Sequence, residues 1–264
     1  MNKEEFATPN LQTVQSFDGI ALSCEIRGTG NKPLVFVHGW TCNRDFFTPQ
    51  AEYFSNAHQV VSLDLAGHGQ SEGGRSDWTL QNFARDVEAV VESLALEAPV
   101  LIGHSMGGAV CLEAARLLDK NISGVILADT FAFDYGHFDE SQIKQFLDSF
   151  RNDFEGSIKG LIEQTTPEGT DPALREKMIS AMSSASPSMA VPAFESLLRW
   201  DALPLFEILN APIRCINGSL INKEACQRYA SYWQDVLMPE AGHFLQLEDP
   251  DGFNRNLSDI LSTL

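Results

Sequence analysis

Hydrophobic and polar positions along the chain follow two alternating patterns. Apolar runs typical of strands buried on both faces of a parallel sheet recur within 33–40, 59–71, 99–102, 122–129 and 211–218. Between them, apolar residues recur every three or four positions, which predicts helices at 44–55, 79–96, 106–119, 223–232 and 250–263. Two further strands joined by a turn at Asp18-Gly19, and one within 235–244, complete the pattern. The alternation predicts an α/β fold with a mostly parallel sheet of about eight strands and helices on both faces.

The alternation stops between residues 131 and 211, where no convincing strand pattern occurs. Helical spacing continues there, near 140–151, 156–164, 172–184 and 190–200. Open α/β sheets bind ligands at the carboxyl ends of their strands. We therefore expect 131–211 to form a helical cap over that edge of the sheet, inserted after strand 6 into a core domain made of 1–130 and 212–264.

Charge and cysteine content narrow the classes of partner and compartment. Acidic residues outnumber basic ones by 36 to 18, giving a formal net charge of −18. Nucleic acid and anionic membranes are bound through basic patches, so we expect neither as a partner. We also expect no membrane insertion and a cytoplasmic location, because no apolar run could span a bilayer and the N-terminus lacks a signal region. The five cysteines form no Cys-x-x-Cys pair, and we expect no metal and no cofactor.

The segment Gly103-His104-Ser105-Met106-Gly107 lies where a predicted strand gives way to a predicted helix. The pattern Gly-x-Ser-x-Gly in this setting is typical of a nucleophile elbow, a sharp turn that exposes a serine hydroxyl. Glycine suits such a turn because it has no Cβ. A serine hydroxyl is a poor nucleophile at neutral pH, so Ser105 would need an adjacent base.

With this elbow, the chain resembles the α/β-hydrolase superfamily over nearly its whole length. "VHGW" (37–40) resembles the oxyanion-loop segment, "DLAGHGQS" (64–71) is similar to the loop after the fourth strand, and "PEAGHFLQLEDP" (239–250) resembles the loop with the catalytic histidine. The resemblance implies Ser105 as nucleophile and His243 as base. It also implies an oxyanion hole formed by the backbone N–H groups of Trp40 and Met106.

The carboxylate partner of His243 is less obvious from the sequence. Many α/β-hydrolases place this acid after the seventh strand in a Gly-x-x-Asp pattern, but "INGSLINKEA" (216–225) contains no Asp. The resemblance offers a second position, at the end of the sixth strand, where this chain has Asp129. Triad geometry favours Asp129 as the catalytic acid, with Asp134 and Glu224 as alternatives.

Other candidate residues receive smaller roles. The side chains of Trp40 and Phe131 are expected to contact substrate, although a buried tryptophan is also compatible with core packing. His38, His68 and Asp64 belong to the family's loop motifs and are expected to hold loop geometry. His104 is expected to point away from the Ser105 hydroxyl.

The sequence predicts a serine hydrolase that cleaves a small carboxylic ester or lactone, or a C–C bond, through an acyl-enzyme. Its substrate is expected to be small and apolar or aromatic. A serine at the elbow excludes the alkyl-enzyme chemistry of the dehalogenases and epoxide hydrolases, which use Asp there. A cofactor-free dioxygenase of the same fold, and a ligand-binding or signalling member, remain as alternatives. The sequence leaves open whether the protein is a monomer or a dimer.

Overall fold

An eight-stranded sheet with the order β1-β2-β4-β3-β5-β6-β7-β8 forms the centre of the protein. The structure is a computed structural model, and it describes residues 9–119 and 121–264. The strands are β1 Asn10–Gln15, β2 Ala21–Arg27, β3 Leu34–Val37, β4 Val60–Leu63, β5 Val100–His104, β6 Gly124–Ala128, β7 Ile213–Gly218 and β8 Gln234–Met238. β2 pairs antiparallel with both β1 and β4, and every other pair is parallel. The predicted fold class is therefore confirmed.

Helices lie in every connection from β3 onward and after β8. The helices are α1 Thr48–Phe54, α2 Leu80–Ser93, α3 Met106–Leu118, α4 Glu140–Asn152, α5 Phe154–Thr165, α6 Pro172–Ser183, α7 Pro187–Leu198, α8 Leu203–Ile208, α9 Lys223–Tyr229, α10 Leu245–Glu248 and α11 Pro250–Leu261. A short 3-10 helix, Arg44–Phe47, precedes α1. None of the helices in residues 9–119 and 121–264 combines the length and the hydropathy that a membrane span requires.

Alternate residues of the central strands enter two apolar clusters, one on each face of the sheet. Along β3, Val35 and Val37 belong to the cluster that includes α2 and α3, whereas Leu34 and Phe36 belong to the cluster that includes α1 and α11. A strand turns successive side chains to opposite faces. Because both faces of β3 are covered, its whole run is apolar and fully buried.

Helices α4 to α8 lie between β6 and β7, in the segment for which the sequence predicts a cap. Helices α4 to α7 match the predicted helices to within a few residues. Helix α8 was not predicted from the sequence, because a helix of six residues is too short to show a period. The last strand also ends earlier than the apolar run 235–244 suggests, at Met238. The division into core and cap stays a prediction. Residues 1–8 of the predicted core domain lie outside the described part of the chain.

Candidate active site

Ser105 occupies the sharp turn between β5 and α3. Its backbone angles, φ 52° and ψ −122°, are unusual for a residue with a Cβ. The turn is closely packed: a Cβ on Gly103 would lie 2.2 Å from the Gly107 carbonyl oxygen, and one on Gly107 would lie 2.2 Å from that of Val37. The "GHSMG" segment therefore folds as a strained elbow, because only glycine fits on both sides of the serine.

The loop after β3 lies directly against this elbow. A Cβ on Gly39 would come within 3.3 Å of the Ser105 Cβ. Met106 is the first residue of α3, so its N–H has no partner within the helix. Among the described residues, neither the Met106 nor the Trp40 backbone N–H donates to another protein group. Backbone N–H groups that have no protein partner can stabilise negative charge on an oxygen. The use of these two groups as an oxyanion hole stays a prediction.

A short hydrogen bond joins His243 to Asp129. The distance from His243 Nδ1 to Asp129 Oδ2 is 2.7 Å, and Asp129 Oδ1 accepts from the Gly218 N–H at 2.7 Å. The carboxylate accepts the Nδ1 proton, so Nε2 is left able to take a proton. Asp129 is only 1% exposed, and these contacts stabilise its buried charge.

The other two candidate carboxylates do not contact His243. Asp134 forms an ion pair with Arg228, and Glu224 is exposed in the first turn of α9. In the described residues, Ser105 Oγ makes no hydrogen bond to the His243 ring. In apo active sites this contact is often long and tightens when substrate binds.

The loop that carries His243 is held on both sides. The His243 N–H donates to the Thr165 carbonyl at 2.8 Å, and its own carbonyl accepts from His104 Nε2 at 2.8 Å. The Glu248 carboxylate accepts from the Gly242 and Phe244 N–H groups at 3.0 and 2.9 Å. The role of Glu248 was missed by the sequence reasoning; the only signal was a glutamate five residues after His243.

Other buried side chains, among them His38 and Asp64, make hydrogen bonds that hold the loops around the site. His38 Nδ1–H donates to the Gly39 carbonyl and its Nε2 accepts from the Leu65 N–H, which ties together the loops after β3 and β4. Burial lowers the pKa of His38 to about 4, so the ring is neutral. Burial also lowers the pKa of His104 well below its ordinary value. Asp64 accepts hydrogen bonds from Arg44 and the Gln70 N–H, so it holds its own loop.

The two predicted substrate contacts lie among aromatic rings. Trp40 donates its indole N–H to the Ala190 carbonyl in α7 at 2.7 Å and stacks on Phe194, with ring centroids 4.6 Å apart. Phe131 is enclosed by four aromatic side chains, those of Trp200, Phe206, Tyr229 and Trp233. Contact of either residue with substrate stays a prediction.

Tyr135 is a buried phenol in the segment between β6 and α4. It is 2% exposed. Burial raises the pKa of the phenol, as does the nearby Asp129 charge, so the hydroxyl keeps its proton. In the sequence it is one of many aromatic residues between β6 and β7, and nothing distinguishes it from those that only pack.

Comparison with known proteins agrees with this fold. Residues 34–256 match the model of the alpha/beta hydrolase family. The AB hydrolase superfamily protein YisY of Bacillus subtilis is 28% identical over 183 residues, which are 66% of this chain and 68% of that protein. Three other curated relatives are matched over only 30 to 41% of their own lengths.

Solved structures are matched almost from end to end. An esterase (EaEST) from Exiguobacterium antarcticum superposes with a TM-score of 0.87 at 20% identity, over 95% of this chain and 99% of that one. A thermophilic esterase from Thermogutta terrifontis gives a TM-score of 0.85 at 26% identity, over 96% and 98%. The family match covers most of the chain, and the sheet order and strained serine turn agree with it. The chain belongs to the alpha/beta hydrolase family.

Proposed function

We propose that this protein is a serine hydrolase that cleaves small carboxylic esters or lactones through an acyl-enzyme on Ser105. The observation that carries the proposal is the 2.7 Å hydrogen bond between His243 and Asp129, beside a serine held in a strained turn. A base oriented by a buried carboxylate is the arrangement that activates a serine hydroxyl.

The proposed reaction begins with attack of Ser105 Oγ on the substrate carbonyl. The Oγ proton moves to His243 Nε2, and Asp129 stabilises the resulting imidazolium. The Trp40 and Met106 N–H groups bind the oxyanion of the tetrahedral intermediate. His243 then gives the proton to the leaving oxygen as the C–O bond breaks. A water molecule, activated by the same histidine, hydrolyses the acyl-enzyme.

Named relatives support ester chemistry. The Exiguobacterium and Thermogutta structures are described as esterases. Another structure of the same fold, at 18% identity, is an enol-lactonase from Burkholderia xenovorans. At this level of identity the fold is shared but the activity has to be measured.

The experiment is hydrolysis of p-nitrophenyl esters from acetate to decanoate by the wild type and four variants. Ser105→Ala, His243→Ala and Asp129→Asn should each lower kcat about a thousandfold or more, because each removes one part of the triad. Glu224→Gln is the matched control and should retain wild-type activity, because this exposed carboxylate makes no contact with His243.

Each other result would change the assignment in a different way. Full activity in Asp129→Asn would remove Asp129 from the mechanism. A wild type that is inert on every ester would contradict the proposal and favour the dioxygenase or ligand-binding alternatives. Oxygen uptake with a 3-hydroxyquinolone, or tight saturable binding without turnover, would then separate those two.

A further inference from the structure

The loop between β8 and α10 carries His243 on a stretch of backbone that belongs to no helix or strand. Its position therefore depends on the partners of its own backbone groups. The Glu248 side chain turns back from the end of α10 to this loop. There Oε2 accepts from the Gly242 N–H at 3.0 Å, and Oε1 accepts from the Phe244 N–H at 2.9 Å. One carboxylate thus binds the amides on both sides of His243.

The end of α5 and the turn that follows it close the other side of this loop. The His243 N–H donates to the Thr165 carbonyl at 2.8 Å, and a Cβ on Gly242 would lie 2.6 Å from the same oxygen. Thr170 Oγ1 donates to Glu248 Oε2 at 3.4 Å. The loop is therefore enclosed between the Glu248 carboxylate and a part of the predicted cap.

These contacts leave little freedom to the backbone that carries the base. Three consecutive N–H groups, from Gly242 to Phe244, are hydrogen-bonded, and the His243 carbonyl accepts from His104 Nε2 at 2.8 Å. Without Glu248, two of these N–H groups would lose their acceptor, and the backbone under the imidazole could shift. A displacement of about 1 Å at a reacting group can lower a rate about a hundredfold.

Asp249, the next residue, offers a comparison within the same segment. Its exposed carboxylate also accepts from a backbone N–H, that of Gly252 at 2.9 Å, and so caps α11. Among the hydrogen bonds of the described residues, this carboxylate has no partner in the loop of His243. Two neighbouring carboxylates thus bind backbone amides, but only Glu248 binds those beside the base.

We propose that Glu248 is a positioning residue for the catalytic base. By binding the amides on both sides of His243, it keeps the imidazole aligned with Asp129 and Ser105. The inference rests on the proposed function. Glu248 acts through His243 and takes no part in making or breaking bonds. Through Thr170 the same carboxylate ties the base to the turn after α5, so the predicted cap helps to hold it.

The test compares Glu248→Ala, Glu248→Gln and Asp249→Ala with the wild type. For each protein, kcat and KM are measured with the p-nitrophenyl ester that the wild type hydrolyses fastest, well below the midpoint of thermal unfolding. Glu248→Gln keeps the size of the side chain and one acceptor oxygen, so it provides the test if Glu248→Ala does not fold. Asp249→Ala is the matched control, because it removes a backbone-binding carboxylate from the adjacent position.

For Glu248→Ala we expect kcat to fall about ten- to a hundredfold and KM to stay within about threefold, because the base moves and the substrate site does not. Glu248→Gln should lie between this variant and the wild type. Asp249→Ala should unfold at a lower temperature, since a helix cap is lost, and should keep the wild-type kcat. A folded Glu248→Ala variant with wild-type kcat, or an equal loss of kcat in Asp249→Ala, would overturn the inference.

A second readout follows the base without any reaction. The proton on His243 Nδ1, in the 2.7 Å hydrogen bond to Asp129, should give a far-downfield proton NMR resonance that is absent in His243→Ala. In Glu248→Ala this resonance should broaden or disappear, because a displaced ring exchanges the proton with water, and in Asp249→Ala it should remain. A sharp, unshifted resonance in Glu248→Ala would show that the carboxylate does not position the ring.

Failure of this inference can be distinguished from failure of the proposed function. If the wild type hydrolyses the esters and Ser105→Ala does not, an unchanged kcat in Glu248→Ala removes only the role of Glu248. If the wild type is inert on the whole ester series, the proposed function fails, and the catalytic role of Glu248 fails with it.

Discussion

Two regions of the molecule place their side chains by different means. At the carboxyl edge of the sheet, backbone touches backbone: Gly107 leaves no room for a Cβ against the Val37 carbonyl. Between β6 and β7, aromatic rings do most of the packing, as where Phe150 and Phe194 enclose Trp40. There a Cβ on Gly160 would meet no atom within 4 Å.

This contrast separates two requirements of the proposed enzyme. The groups that would react are fixed by close backbone contacts, which tolerate almost no change in side-chain volume. The groups that would select a substrate lie on helices whose packing can be rearranged by side-chain substitution. We therefore expect mutations at the sheet edge to remove stability and activity together. Mutations in α4 to α8 should change substrate preference first.

The largest expected effect comes from Gly107→Ala. The new methyl group would overlap the carbonyls of Val37 and His38, so the loop after β3 must move away from the elbow. We expect a loss of about 3 kcal/mol or more in the free energy of unfolding, at the upper end of overpacking effects, measured by urea denaturation. Ester hydrolysis should fall with it. A variant with wild-type stability and activity would show that the elbow tolerates a Cβ at this position.

A pH-dependent effect of intermediate size is expected from His38. Its pKa is lowered from about 6.5 to about 4 by burial, so the folded protein keeps the ring neutral. Between pH 6.5 and pH 4 the unfolded state binds a proton at this ring and the folded state does not. The free energy of unfolding is therefore highest above pH 6.5 and decreases as the pH falls towards 4. Between pH 7 and pH 5, wild type should lose about 2 kcal/mol more than His38→Gln.

Urea denaturation at the two pH values measures this difference. His137 provides the control, because it is exposed and lies in the segment between β6 and α4. His137→Gln tests whether removal of an exposed histidine has the same effect as removal of the buried one. Identical pH dependence in His38→Gln and wild type would show that the buried imidazole does not penalise protonation.

The smallest effect is a gain in stability, from Gly160→Ala. Gly160 lies inside α5, where alanine is favoured over glycine by about 0.5–1 kcal/mol because it loses less backbone entropy. The midpoint of thermal unfolding should rise by about 1–4 °C for a chain of this size, with kcat unchanged. A destabilised Gly160→Ala variant would mean that this helix is packed as closely as the elbow.

The sequence predicted the sheet region better than the helical segment. Continuous apolar runs and the glycines around Ser105 leave few alternatives for β3 to β7, and the missing Asp after β7 drew attention to Asp129. The contact between Asp129 and His243 agrees with that expectation. The role of Glu248 was not predicted, because no sequence pattern shows that its carboxylate turns back to accept from the Gly242 and Phe244 N–H groups of its own loop. Helix α8 was not predicted either, because six residues are too few to show a helical period.

The proposed enzyme depends on Ser105 as a nucleophile that His243 and Asp129 activate. Labelling with a fluorophosphonate measures this reactivity itself, because Ser105 Oγ would form a bond to phosphorus and fluoride would leave. Intact mass and peptide mapping should show one adduct, on the peptide that contains Ser105, and none in Ser105→Ala. The labelling rate should fall about a hundredfold or more in His243→Ala and Asp129→Asn. An adduct on another residue, or a labelling rate independent of His243, would contradict the account.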